Sequence, residues 1–149
     1  MAAQIELRLQ TESTVIFKGI INSNDRFDLT MCNPPFHSSL AEANAGTARK
    51  WQNLGKNIDN KGKMLNFGGQ NAELFCDGGE ENFIKRMILE SAHFKTQCVW
   101  YTTLVSKSAS LPNVYRTLKQ VNAATIKTID MSQGQKKSRF VTWTFINAL

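Results

Sequence analysis

The first strand-like pattern in the chain is a short alternation of apolar and polar residues at Ile5–Leu9, which reads Ile-Glu-Leu-Arg-Leu. This period of two predicts a strand with one buried face. A second strand is predicted at residues 27–32, "FDLTMC", which are mostly apolar and are followed by Asn-Pro-Pro. Proline cannot donate a main-chain hydrogen bond to a sheet, so this strand is expected to stop at Asn33.

Two later segments place apolar residues at helical spacing. Residues 77–94, "DGGEENFIKRMILESAHF", begin with Asp77 as a predicted N-cap, and Glu80 and Glu81 suit the positive end of a helix. The face predicted to be buried comprises Phe83, Ile84, Met87, Ile88 and Ser91. Residues 112–121 start with a proline suited to a first helical turn and repeat apolar residues at positions 114, 118 and 121.

Three further segments are predicted to be strands. Residues 98–105, "CVWYTTLV", are β-branched and aromatic without strict alternation, as expected of a central strand covered on both faces. Residues 125–131 and 140–146 form the final pair, and their connector is too short for a crossover helix, so this pair is predicted to be antiparallel. Strands that alternate with helices predict an α/β sandwich with a mainly parallel sheet.

Residues 37–72 are polar and rich in Asn, Gly, Ala and Lys. A helix-compatible stretch covers residues 39–50, and a loop is predicted at residues 66–74, "NFGGQNAEL". Segments of this length inside compact domains tend to be functional, so we expect a functional role for this region.

Composition narrows the class of protein. The chain has 149 residues, 42% of them hydrophobic, which predicts a single domain spanning residues 1–149. No apolar run is long enough for a membrane helix or a signal peptide, so we expect no membrane association. Cys32, Cys76 and Cys98 form no Cys-x-x-Cys pair, which favours a reduced cytoplasmic setting without a metal or disulfide. The net charge of +6 favours a polyanionic partner.

The residues Asn33, Pro34, Pro35 and Phe36 offer a specific chemistry. Ligands of open α/β sheets bind outside the carboxyl ends of the strands, where this motif is expected. The Asn33 amide can hold the exocyclic amine of a nucleobase, and a carbonyl fixed by the prolines can accept the second hydrogen of that amine. Phe36 could stack on an unpaired base. Alternatively, Asn-Pro-Pro is only a turn that ends a strand.

The stretch "FDLTMCNPPFHSS" resembles the signature that ends the fourth strand of adenine-N6 methyltransferases dependent on S-adenosylmethionine (SAM). Three further stretches, "LNFGGQNAELFCDGGEENFIKRMILES", "WYTTLVSKSASLPNVYRTLK" and "QGQKKSRFVTWTF", resemble the bacterial large-subunit (23S) ribosomal RNA adenine-N6 methyltransferase F family. The resemblance implies a Rossmann-like class I methyltransferase sandwich with an antiparallel last strand. It also implies methyl transfer from SAM to N6 of one adenosine, with no metal.

The resemblance assigns roles to individual positions. Asn33 and the Pro34 carbonyl would hold N6 of adenine, Pro35 would stiffen the turn, and Phe36 would stack on the base. Asn33 and Ser13 would lie beside the cofactor. His37 could contact the substrate, although a histidine in a loop is more often a bystander.

The family begins with a strand, a Gly-rich turn and an acidic ribose-binding residue, and none of these precedes Ile5. The glycine pairs at residues 68–69 and 78–79 follow the motif and lack the required context. The chain is therefore expected to correspond to the C-terminal half to two-thirds of such an enzyme, a partial domain without its N-terminal strands. By itself it should bind SAM weakly or not at all.

Lys136, Lys137 and Arg139 lie in the connector of the predicted final hairpin, where they could meet RNA phosphates. A solvated charge cluster is the alternative. Three functions stay open at this point: methylation of 23S ribosomal RNA, N6-adenine methylation of another RNA or of DNA, and non-catalytic RNA binding.

Overall fold

The computed structural model of the chain describes residues 5–35, 76–133 and 136–147. Within these ranges the chain forms four strands and two α-helices, in the order β1 (Phe27–Leu29), α1 (Gly79–Ser91), β2 (Cys98–Val105), α2 (Leu111–Gln120), β3 (Thr125–Gln133) and β4 (Lys136–Thr144). Short 3₁₀ helices at Ala92–Phe94 and Ser108–Ser110 flank β2. None of the helices in the described ranges is long and apolar enough to cross a membrane.

The four strands form one sheet in the order β1-β2-β4-β3. β1 pairs with β2 in parallel, whereas β4 pairs antiparallel with both β2 and β3. The predicted α/β class and the antiparallel final pair are confirmed. Over the described residues the sheet is mixed rather than mainly parallel, because the short connection between β3 and β4 permits only a hairpin.

The predicted strand at Ile5–Leu9 is wrong. This segment joins no sheet in the described part of the chain. The guanidinium group of Arg8 donates hydrogen bonds to the Ile20 carbonyl, at 2.8 Å, and to the Asp25 carboxylate. Side-chain contacts therefore hold the segment in place of a main-chain ladder.

The strand predicted at residues 27–32 is observed only as β1, which ends at Leu29. Beyond β1 the chain still makes main-chain hydrogen bonds to β2. The Thr30 N–H donates to the Trp100 carbonyl at 2.9 Å, and the Leu104 N–H donates to the Cys32 carbonyl at 2.9 Å. The main chain thus follows β2 as far as Cys32, one residue before the Asn-Pro-Pro turn.

The structure confirms both helices and revises their ends. α1 buries Ile84, Met87, Ile88 and Ser91, as its spacing predicts. Its N-cap is Gly78 rather than Asp77, because Gly78 has a φ of 79° and a Cβ at that position would lie 2.7 Å from the Cβ of Asn82. α2 begins at Leu111, one residue before the predicted start.

The predictions for the later strands differ in accuracy. The bounds of β2 match the prediction at residues 98–105. β3 extends two residues past its predicted end, and β4 covers Lys136–Thr144 in place of residues 140–146. The predicted helix at residues 39–50 and the predicted loop at residues 66–74 lie outside the described residues.

Aromatic residues on one face of the sheet form the centre of the core and join it to α1. Tyr101 and Trp143 are fully buried and stack with their ring centroids 5.7 Å apart. The ring of Phe17 meets Tyr101 edge-on at 5.6 Å. The Trp143 Nε1 donates a hydrogen bond to the Ser91 Oγ at 3.0 Å, which satisfies the indole and links β4 to the end of α1.

Glu90 anchors the N-terminal segment to α1. Its carboxylate accepts hydrogen bonds from the main-chain N–H groups of Ile16, Phe17 and Lys18, at 2.8, 2.9 and 2.6 Å. One turn earlier on the helix, the Arg86 Nη1 donates to the Ser13 carbonyl at 3.1 Å. Charge-assisted bonds of this kind are stronger than neutral ones, so residues 13–18 are held firmly against α1.

Candidate active site

The parallel pairing of β1 with β2 places the Asn-Pro-Pro turn at the carboxyl edge of the sheet. The Thr102 Oγ1 donates a hydrogen bond to the Thr30 carbonyl at 2.5 Å, and the last bond along this path joins the Leu104 N–H to the Cys32 carbonyl. Asn33 follows directly. Its predicted position, where open α/β sheets bind their ligands, is therefore the observed one.

The three described residues of the motif differ in exposure: the asparagine is exposed and the two prolines are buried. Asn33 is exposed, whereas Pro34 and Pro35 are buried, and the side chain of Pro34 is less than 2% exposed. Buried prolines fix the direction of the main chain, so the Asn33 amide stands on a rigid base and is open to a ligand. Phe36 and His37 lie outside the described residues, and their assigned roles stay predictions.

Burial makes the Cys32 thiol, next to the motif, a poor nucleophile. Removal from water raises the pKa of Cys32, and a hydrogen bond with Thr103 opposes this shift only in part. Burial likewise raises the pKa of Cys76 and Cys98. The reactive form of cysteine is the thiolate, so these three residues do not support covalent catalysis near neutral pH. Among the described residues, no cluster of three or more His, Cys, Asp or Glu could hold a metal ion.

Glu80 brings the start of α1 to the same edge of the sheet. Its carboxylate, on a residue only 3% exposed, accepts hydrogen bonds from the N–H groups of Ser106 and Lys107, at 2.6 and 3.4 Å. These are the first two residues after β2, so the buried carboxylate fixes the loop that begins beside Asn33. In the sequence, Glu80 stands out only as an acidic residue at a helix start, and no local pattern indicates its contact with a loop 26 residues away.

The basic residues of the last hairpin also lie at this edge. Val105, the last residue of β2, pairs with Arg139, so the first residues of β4 extend beyond the end of β2. Lys137 is exposed and Lys136 is the first residue of β4. Arg139 is only 9% exposed, and its Nε is 4.0 Å from the Asp130 carboxylate. Its Nη1 is buried and has no hydrogen-bond partner among the described residues. Lys137 is therefore more accessible to a phosphate than Arg139 is.

Ser13 lies apart from this cluster. Its side chain is exposed, and its carbonyl contacts Arg86, which is roughly 10 Å along the helix axis from the start of α1 at Gly79. The described contacts thus bring together the Asn-Pro-Pro turn, the start of α1 and the basic hairpin, and place Ser13 on the flank of α1.

Comparisons with known proteins identify the family of the chain. A family model described as "RNA methyltransferase" matches residues 1–147. The chain is 57% identical to the ribosomal RNA large subunit methyltransferase F of Methylobacillus flagellatus, over 97% of this chain and 47% of that relative. It is 54% identical to the protein of the same name from Photobacterium profundum, over 99% of this chain and 48% of that relative.

A solved structure shares both fold and sequence with the chain. The human METTL16 catalytic domain, in complex with hairpin 1 of the MAT2A 3′UTR, is 27% identical with a TM-score of 0.64, over 84% of this chain and 41% of that chain. The chain spans about half the length of the curated relatives it matches. The resemblance found in the sequence is confirmed, and the chain belongs to the RNA methyltransferase family.

Proposed function

We propose that the chain contributes the adenine-binding side of a SAM-dependent enzyme that methylates N6 of one adenosine in large-subunit (23S) ribosomal RNA. The observation that carries this proposal is the exposed Asn33 amide at the carboxyl edge of the sheet, supported by two buried prolines. The curated relatives named as ribosomal RNA large subunit methyltransferase F support the substrate class. The METTL16 complex supports an RNA substrate in general. We also propose a cytoplasmic location, where bacterial ribosomal RNA is found.

The proposed chemistry uses hydrogen bonding rather than a catalytic base. The side-chain oxygen of Asn33 and the main-chain carbonyl of Pro34 accept the two hydrogens of the adenine amine. This arrangement directs the nitrogen lone pair away from the ring and toward an electrophile, and Phe36 holds the plane of the base by stacking. The adenine must be unpaired or flipped out to reach the site. The amine releases its proton after the new N–C bond has formed.

SAM would bind at the exposed edge of the sheet beside Asn33, on the side that faces the adenine amine. Asn33 would contact SAM as well as adenine, and Ser13 would border the adenine of the cofactor. When bound, SAM supplies an electrophilic methyl group. The main chain of Ser13 is held by Arg86 and its side chain is exposed, so Ser13 is free to make this contact.

The function is tested by methyl transfer in a chimeric protein. The chain replaces the matching part of the M. flagellatus relative, and the product is incubated with 23S ribosomal RNA and SAM labelled in the methyl group. We expect label at N6 of one adenosine. Transfer to DNA or to another RNA in competition assays would support the second candidate substrate. RNA binding without any transfer would contradict the proposed activity and favour a non-catalytic module.

Charge reversal of Lys136 and Lys137 to glutamate is expected to weaken RNA binding and to flatten its salt dependence. Each lost phosphate contact lowers the slope of log affinity against log salt by about 0.7 to 0.9. The measurement is a fluorescence-anisotropy titration at several salt concentrations. Lys119→Glu serves as the control, because this exposed lysine lies in the last turn of α2, away from the hairpin. Equal salt slopes for the hairpin variant and the wild type would contradict the RNA contact.

A further inference from the structure

Lys107 carries an exposed side chain on a main chain that is fixed on both sides. Its N–H donates a hydrogen bond to the Glu80 carboxylate at 3.4 Å, beside the shorter bond from the Ser106 N–H at 2.6 Å. Its carbonyl accepts a hydrogen bond from the N–H of the buried Ser110 at 3.1 Å. The fold therefore sets the position of the Lys107 main chain, while the side chain extends into solvent.

The Glu80 carboxylate is committed to this turn. Its Oε1 binds the Ser106 N–H and its Oε2 binds the Lys107 N–H, on a residue that is only 3% exposed. Burial of a carboxylate costs free energy unless donors compensate it, and here the main chain of the turn supplies them. Residues 106–110 read Ser-Lys-Ser-Ala-Ser, so the one charged side chain that this contact holds in place is that of Lys107.

The turn lies beside Asn33 at the carboxyl edge of the sheet. The Leu104 N–H donates to the Cys32 carbonyl at 2.9 Å, so these two residues are level with each other on neighbouring paths. Asn33 follows Cys32 directly, and Lys107 comes three residues after Leu104. Neighbouring strands lie about 4.8 Å apart and rise about 3.3 Å per residue, so extended paths place the Cα atoms of Asn33 and Lys107 within about 10 Å.

A nucleotide that offers its base to Asn33 keeps its phosphates outside the sheet edge. The base must leave its stack to reach the amide, and the sugar and the phosphates on either side of it stay in solvent. A lysine ammonium group on its flexible stem binds phosphate as a point charge. Lys107 is exposed beside Asn33, and within the described ranges its ammonium group forms no salt bridge.

We propose that Lys107 binds the RNA phosphate next to the target adenosine, and that Glu80 is the residue that positions Lys107. This inference rests on the proposed function and adds a contact to the same site. In the sheet order, β2 lies between β1 and β4, so Lys107 stands between Asn33 and the basic hairpin. Asn33 then binds the base, Lys107 the adjacent phosphate, and the hairpin phosphates farther along the RNA.

RNA binding by the chimera tests the phosphate contact without any methyl transfer. Lys107→Gln is expected to lower the magnitude of the slope of log affinity for 23S ribosomal RNA against log salt by about 0.7 to 0.9, the loss of one phosphate contact. Lys107→Arg keeps the charge and should keep the wild-type slope. Lys119→Gln removes the same charge from the last turn of α2 and should also keep it. An unchanged slope for Lys107→Gln, or an equal reduction for Lys119→Gln, would overturn the proposal.

A neutral linkage locates the contact on the RNA. In an RNA fragment that carries the adenosine methylated by the chimera, methylphosphonate linkages replace single phosphates at and beyond that adenosine. A replacement next to the adenosine is expected to weaken binding to the wild type and to Lys119→Gln, and to leave binding to Lys107→Gln unchanged. Coupling of Lys107 only to distant linkages would overturn the assignment and leave the proposed function intact. If the chimera methylates no RNA, the proposed function fails, and the salt slope still supports or overturns the Lys107 contact.

Glu80→Asp tests the positioning role. The shorter side chain keeps the negative charge but no longer reaches both N–H groups, so the Lys107 main chain loses its anchor. RNA affinity is expected to fall by about twofold or more in the chimera, and to fall no further when Glu80→Asp is added to Lys107→Gln, because residues that act through each other are not additive. Additive losses would overturn the positioning role.

Circular dichroism checks that Glu80→Asp folds. If it does not, hydrogen exchange in the wild-type chimera decides the same point. Slow exchange at the Ser106 and Lys107 amides supports the anchoring by Glu80, and exchange as fast as in an unstructured peptide overturns it.

Discussion

Replacement of Asn33 by alanine is expected to lower kcat for methyl transfer by at least about a hundredfold, the effect of removing one preorganised hydrogen-bonding group from an active site. The amide is the only side-chain polar group of the described part of the motif, residues 33–35. In the proposed chemistry, the adenine amine would lose one of its two acceptors without this amide, and its lone pair would no longer be directed. The measurement is single-turnover methyl transfer to 23S ribosomal RNA in the chimera described above.

The fold should survive this change, because Asn33 is exposed and its neighbours Pro34 and Pro35 supply the buried contacts. Circular dichroism and the urea midpoint of Asn33→Ala should therefore match those of the wild type. Asn24→Ala is the matched control, since Asn24 is also exposed but precedes β1, at the amino edge of the sheet. Wild-type kcat in Asn33→Ala would exclude the amide from catalysis, and a similar loss in Asn24→Ala would show that the effect is not local.

Trp143→Ala is expected to lower the free energy of unfolding by about 3–5 kcal/mol, the usual cost of truncating a fully buried large aromatic residue. Trp143 is fully buried, stacks on Tyr101 and donates a hydrogen bond to Ser91. Truncation leaves a cavity between the sheet and α1 and removes the donor that binds the buried Ser91 hydroxyl. Because whole domains are stable by only about 5–15 kcal/mol, this loss removes a large share of the stability, and the urea midpoint is expected to fall clearly.

Urea unfolding of the chain, followed by circular dichroism, measures this loss. Trp100→Ala is the control on the same sheet, because Trp100 is only partly buried and its ring lies against the Lys127 ammonium group, with the Nζ 5.1 Å from the ring centroid. Its truncation should cost clearly less. Equal losses for the two variants would show that the core does not depend on the Trp143 contacts.

Local patterns predicted the elements that carry their own signals. The apolar spacing in α1 identified its buried face, and the β-branched and aromatic run of β2 identified a central strand with its correct bounds. The prolines after Asn33 correctly predicted that pairing with β2 stops before them, at Cys32, and that the motif lies at the carboxyl edge. In each case the signal lies within the element itself, because periodicity and proline stereochemistry act on neighbouring residues.

Long-range contacts could not be predicted in this way. Glu80 and Glu90 look like ordinary helix glutamates in the sequence, yet each carboxylate binds main-chain N–H groups of a distant segment. Gly78 in place of Asp77 as the N-cap depends on a left-handed main-chain conformation next to Asn82. These features depend on which distant segments pack together in the folded chain. Local sequence patterns do not encode that packing.

The alternation at Ile5–Leu9 separates what the sequence determines from what only the tertiary structure decides. The sequence by itself determined that one side of this segment is apolar, that two helices and a central strand form, and that an amide follows a strand on rigid prolines. Only the tertiary structure decided that Arg8 and Gln10 hold the segment by its polar side and leave the apolar side exposed. The physical reason is that a period of two fixes which side chains share a face, whereas burial of that face depends on a partner surface elsewhere in the fold.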